Sequence, residues 1–67
     1  MDDVIYYKNK ISENYFISVD DGETLINPKG GELNSSSIRI DLFKRVPKLS
    51  KNKLSNNQLA VLESVKQ

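Results

Sequence analysis

The chain has 67 residues, a formal net charge of +1, and no cysteine, histidine or tryptophan. Those absences exclude disulfides, thiolate or imidazole metal sites, and Ser–His or Cys–His nucleophilic catalysis, leaving only oxygen-ligated ions such as calcium or magnesium. One domain is the ceiling at this length, a single core rarely contributes more than ~3–5 kcal/mol, and a catalytic pocket of ~300 Å³ is rarely enclosed, so the sequence reads as non-enzymatic and cofactor-free.

Val4-Ile5-Tyr6-Tyr7 is a β-branched and aromatic run, which Ile11 closes. This composition predicts a strand. After the polar Ser12-Glu13-Asn14, residues 15–19 place Tyr15, Ile17 and Val19 on one face at period two. Asp20-Asp21-Gly22-Glu23 then separates this run from Thr24-Leu25-Ile26. Asp-Gly between two β runs predicts a type I′ hairpin, because both central residues of that turn need positive φ. The expected hairpin joins 15–19 to 23–26.

Asn27-Pro28-Lys29-Gly30-Gly31 reads as a turn, with Pro28 presetting φ and both glycines able to accept positive φ. Glu32-Leu33 is a short candidate strand, and residues 34–37 are loop. Residues 38–46 fit two patterns. As a strand, Ile38, Ile40 and Leu42 alternate with Arg39, Asp41 and Phe43; as a helix, Ile38, Leu42, Phe43 and Val46 share a face. The cleaner alternation favours a strand over 38–43, and Pro47 ends either element.

Ser55-Asn56-Asn57-Gln58 matches the S-x-x-Q capping box, with Leu54 and Leu59 as its hydrophobic staple. Behind it Leu59, Ala60, Val61, Leu62 and Val65 give a broad apolar face, and Lys66 suits the helix C-terminus. A helix this short is marginal alone and must dock on the sheet or on a partner. The fold class is therefore α+β: a small antiparallel sheet of three to five strands, open or curled into an SH3-like small barrel, with one C-terminal helix packed on it. Residues 1–67 form a single small domain, divided into a β-rich part (4–46), a basic linker (47–54) and the helix (55–66).

No apolar run approaches the ~18 residues of a membrane span. Met1-Asp2-Asp3 is acidic where a secretory signal is basic, so the reading is cytoplasmic. Abundant Lys, Asn, Ser and Ile agree with AT-rich coding, as in a phage or a low-GC bacterium.

Charge is segregated. Residues 1–33 carry seven acids and three bases, a net −4; residues 34–67 carry seven bases and two acids, a net +5. Lys44, Arg45, Lys48, Lys51 and Lys53 fall within ten residues that contain no acid, and Arg39 extends the set if it shares their face. Such bases suit phosphates or an acidic protein, or simply keep a linker solvated. Where alternation holds, only one of Tyr6 and Tyr7 faces the core, and likewise Tyr15 and Phe16; a tyrosine left outside is a candidate binding anchor. Asp20, Asp21 and Glu23 at the hairpin tip are too few for a calcium site and read as turn chemistry or partner contacts.

Two functional expectations follow. The first is a protein-interaction module (an inhibitor, adaptor or small subunit) using Tyr6, Tyr7 or Tyr15, the tip at Asp20, Asp21 and Glu23, and the basic arm. The second is a small nucleic-acid-binding protein that places Arg39, Lys44, Arg45, Lys48, Lys51 and Lys53 on phosphates; its sequence pI near 8.0 lies below the level above ~9 of a dedicated binder. Self-association through the acidic and basic halves is compatible with either.

Overall fold

A computed structural model describes residues 4–65. The Met1-Asp2-Asp3 run and Lys66 lie outside the described residues. Five strands, β1 (Ile5–Asn9), β2 (Tyr15–Ser18), β3 (Thr24–Ile26), β4 (Glu32–Asn34) and β5 (Phe43–Val46), precede the helix α1 (Asn56–Val65). The strands form one antiparallel sheet in the order β4-β3-β2-β1-β5. The sheet is open, with β4 and β5 as its edges, so it does not close into an SH3-like barrel.

Three hairpins build the meander, each with its own turn chemistry. The β1–β2 loop is organised by Asn9, whose Oδ1 accepts the N–H groups of Ile11 and Ser12, both at 2.9 Å. Glu13 takes a left-handed φ of 63° and donates its N–H to the Asn9 carbonyl. Ile11 therefore sits in this loop, 74% exposed, instead of closing a strand. At the β2–β3 turn Asp21 and Gly22 have φ of 64° and 91°, the two positive values a type I′ turn requires. The β3–β4 turn uses Pro28 and a left-handed Gly30 at φ 89°, while Gly31 keeps an ordinary backbone. Three Asn27 groups close that turn: its N–H reaches the Gly31 carbonyl, its carbonyl accepts from Gly30, and its Oδ1 accepts from Lys29 and Gly31.

The strand expected at 38–43 is displaced. Ile40–Leu42 forms a single 3-10 turn, and the last strand begins at Phe43. Alternation alone could not choose this register; the partner strand does. Pairing β5 with β1 sets Val46 opposite Tyr6 and Phe43 opposite Asn9. It also brings the Phe43 ring edge-on to Phe16, with centroids 4.9 Å apart. Leaving β4 at one edge and entering β5 at the other, residues 35–42 traverse the width of the sheet, and Ile38 and Leu42 become half-buried on the way.

One sheet face packs on the C-terminal segment. Tyr6, Ile17, Ile26 and Leu54 are buried there, with Val46, Leu49, Leu59, Val61 and Leu62 around them. The opposite face also lacks solvent: Ile5, Phe16, Leu25 and Ser18 are all buried. Each of Ile17 and Leu25 is fully enclosed, worth about 1.5–3 kcal/mol of apolar transfer. Both faces are thus covered, and neither Tyr6/Tyr7 nor Tyr15/Phe16 divides into one core and one solvent ring. Val65, by contrast, lies outside the helix's docked stripe and is exposed.

The capping box forms as the sequence implies. Ser55 Oγ accepts the Gln58 N–H at 3.2 Å, and Gln58 Oε1 accepts the Ser55 N–H at 3.1 Å. Ser55 Oγ also donates to the Pro28 carbonyl. Gln58, 1% exposed, goes further: its Nε2 donates to the carbonyls of Tyr15 (2.8 Å) and Ile26 (3.0 Å). One amide therefore ties the helix N-terminus to β2 and β3. Gln58→Ala removes both amide bonds to the sheet and breaks the cap, so unfolding in urea should show a loss of about 2–4 kcal/mol. Ser55→Ala should cost about 1 kcal/mol.

Candidate functional site

The sheet register, more than the linear sequence, decides which charged groups meet. Lys8 on β1 lies directly opposite Lys44 on β5 and, on its other side, opposite Tyr15 on β2. Lys44, Lys8 and Tyr15 thus form a row across three strands on the helix side of the sheet. A 3-10 turn at Lys51–Lys53, just before buried Leu54, adds a third base to this row. The Lys8 and Lys53 ammonium groups each lie 5.8 Å from the centre of the Tyr15 ring. That distance is within cation–π range, worth about 0.5–1 kcal/mol at an exposed site. Tyr15 is itself fixed, because its carbonyl receives the Gln58 amide.

Like charges directly opposite one another on paired strands are unfavourable. Among the described residues no carboxylate lies within ion-pair distance of Lys8, Lys44 or Lys53; the ion pair seen is Arg39–Asp41, at 3.1 Å. Beside the row is a shallow cleft of about 180 Å³, lined by Lys8, Asn9, Lys10, Glu13 and Lys44. The Lys10 ammonium is held at 3.0 Å by the Asp41 carbonyl, and its backbone N–H donates to Leu42.

The basic arm of the sequence is only partly assembled. Lys44 and Lys53 join the cluster. Arg45 follows Lys44 on the strand and projects from the opposite face, beside Tyr7. Arg39 is engaged by Asp41 through both Nε and an Nη, which raises the guanidinium's affinity for its proton and holds the carboxyl below its usual range. Lys48 and Lys51 are exposed on the segment leading to the helix. The six bases do not share one face. Lys8 is the member missed by reading charge along the chain, since it sits in the acidic half. Its period-two relation to Tyr6 was the available signal, but only the β1–β5 pairing gives that signal meaning.

The other candidate contacts are used by the fold. Tyr6 is a core group, and Tyr7 and Tyr15 are half-buried. Tyr7 directs its hydroxyl at Gly22, where an added Cβ would stand 3.2 Å away. Asp20 Oδ1 accepts the Thr24 N–H and the Ser18 hydroxyl, both at 2.9 Å, and Ser18 Oγ accepts the Gly22 N–H. Asp21 and Glu23 are exposed at the turn. Among the described residues, no three carboxylates converge as a metal site needs, and no helix is long and apolar enough to cross a membrane.

Comparison with protein-family profiles, curated protein sequences and solved structures returns no match.

Two outcomes follow from these electrostatics. The Thr24 N–H bond, foremost, lowers the Asp20 carboxyl below its usual 3.8 despite slight desolvation. A carboxyl with a depressed folded value stabilises fully above its unfolded value and loses that contribution as pH falls through the folded one. Acid titration of stability should therefore show a step below pH 3.8 that Asp20→Asn removes. Lys44→Ala relieves the cross-strand repulsion, so at low ionic strength it should leave stability unchanged or raise it by up to ~1 kcal/mol. Salt should erase that gain, as chemical denaturation at two ionic strengths can show.

Proposed function

We propose that this chain is a small non-enzymatic module that binds nucleic acid through its phosphate backbone, using Lys8, Lys44 and Lys53. The observation that carries the reading is that Lys8 and Lys53 both lie over the ring of Tyr15 while Lys44 stands directly across the strand pair from Lys8, with no counter-charge within ion-pair distance among the described residues. Strand pairing and the ring orient the ammonium groups before any ligand arrives. A phosphate chain laid across them relieves their mutual repulsion and releases counterions, which gives sequence-independent, salt-sensitive affinity.

Three phosphate contacts set the scale. On single strands log K should fall with log salt at a slope of about −2, a loss of roughly twentyfold between about 50 and 200 mM salt. Fluorescence anisotropy of labelled single- and double-stranded DNA and RNA measures this directly. Alanine at Lys8, Lys44 or Lys53 should each flatten the slope by about 0.7. Absence of binding at the lower salt, or a slope indifferent to all three substitutions, would refute the assignment.

A protein-interaction module is the second reading, and the open β5 edge favours it. Among the described residues β5 pairs only with β1, and it carries Lys44 on one face and Arg45 on the other. An extended acidic segment could add there as a sixth strand, with alternate acids meeting these two bases. Poly-glutamate that binds more tightly than the oligonucleotides in the same titration would put this reading first.

A further inference from the structure

We propose that this chain associates with itself head to tail, the β5 edge of one copy adding antiparallel to the β4 edge of the next, with Arg45 directly opposite Glu32. No phosphate contact is needed, so the association stands or falls separately from the nucleic-acid reading.

Hydrogen-bond phase decides what each edge offers, because bonded and non-bonded pairs alternate along an antiparallel ladder. The Lys10 N–H donates to the Leu42 carbonyl at 2.7 Å, so on β5 it is Lys44 and Val46 that bond to β1, at Lys8 and Tyr6. Phe43 and Arg45 therefore turn their backbone groups to the open side. At the other edge the Asn27 N–H donates to Gly31 and the Ser35 N–H to Glu23. Leu33 thus bonds to Leu25, and Glu32 and Asn34 turn their backbone groups outward. Two of these outward groups are already used within the chain: the Phe43 N–H donates to the Ile40 carbonyl, and the Asn34 carbonyl accepts the Ser37 hydroxyl.

One alignment fits what is left. With Arg45 against Glu32, each backbone N–H meets the other's carbonyl, and Phe43 falls against Asn34. There the two spent groups face each other, and the remaining Asn34 N–H meets the remaining Phe43 carbonyl. Pro47, without an N–H, falls opposite Gly30, whose N–H already donates to Asn27, so the ladder ends. Arg45 and Glu32 are both exposed, and as directly opposed residues they share a face of the joined sheet as an opposite-charge pair. Arg45 lies on the Tyr7 face of its own sheet and Glu32 on the Ile26 face of the next, so successive copies carry their helices on alternate sides. Pairing β5 with β5 instead sets Lys44 or Arg45 against its own counterpart, and β4 with β4 offers no opposite charge. Because the joined edges differ, every added copy leaves one of each kind exposed.

Sedimentation equilibrium of the full chain at low salt, from about 10 µM to about 1 mM, tests this. The weight-average mass should rise with concentration and show no ceiling at the dimer. Arg45→Glu and Glu32→Arg each set like charges opposite one another and should weaken association roughly tenfold. An equimolar mixture of these two variants restores opposite charges at every junction and should recover the wild-type association, which a variant that merely misfolds cannot do. Lys51→Glu makes the same change of net charge as Arg45→Glu outside both edge strands, and should leave association as it is. A wild-type chain that stays monomeric throughout, a mass that stops at the dimer, or a mixture no more associated than its components would overturn the proposal.

Discussion

The side-chain amide of Gln58 is the joint on which the two halves of the molecule depend. A sheet carbonyl buried beneath a helix needs a donor, and two such carbonyls, of Tyr15 and Ile26, share this one nitrogen. The amide's oxygen is simultaneously committed to the cap through the Ser55 N–H. Helix start, helix placement and satisfaction of the sheet are therefore one event. Only an uncharged amide at the third helical position has both the donors and the acceptor to do this. In a chain with so thin a core, such bonds also give specificity: the helix docks in one register, because any sliding breaks both of them.

The same joint reaches the lysine row. Tyr15 is held by its backbone to Gln58 and by its ring to Lys8 and Lys53, so the placement of the helix sets the geometry of the charged surface. That surface is arranged against the stability of the free protein. Lys8 and Lys44 face each other where a Lys–Glu pair would have been favourable. Unfavourable electrostatics is thus concentrated at one place, while the buried side-chain polar atoms among the described residues all have hydrogen-bond partners.

Local chemistry was legible in the sequence, and long-range pairing was not. The Asp21-Gly22 turn and the Ser55–Gln58 cap depend on residues a few positions apart, so the pattern carries its own cause. The last strand does not. Ile38, Ile40 and Leu42 alternate as well as any strand, yet Phe43–Val46 is the segment that fills the β1 edge, because Val46 and Phe43 have buried partners there. The site was half visible for the same reason. Lys44 and Lys53 stood out in a run without acids, whereas Lys8, in the half of the sequence with net charge −4, joins them only through sheet register. Gln58 was recognised as a cap, but its second role needs two carbonyls from strands far earlier in the chain.

The pairing of β1 with β5 spans more than half the chain, and it alone places Lys44 beside Lys8. The β1–β4 meander is made of consecutive hairpins with short loops, whereas β5 reaches β1 only across a long loop closure. An edge strand held by one neighbour is also the first to open in native fluctuations. The charged row therefore hangs on one long-range strand pairing, and a chain in which β5 has opened keeps the β1–β4 hairpins while losing the surface. A polyanion spanning β1 and β5 would act as a clasp on that edge, linking occupancy of the surface to closure of the sheet.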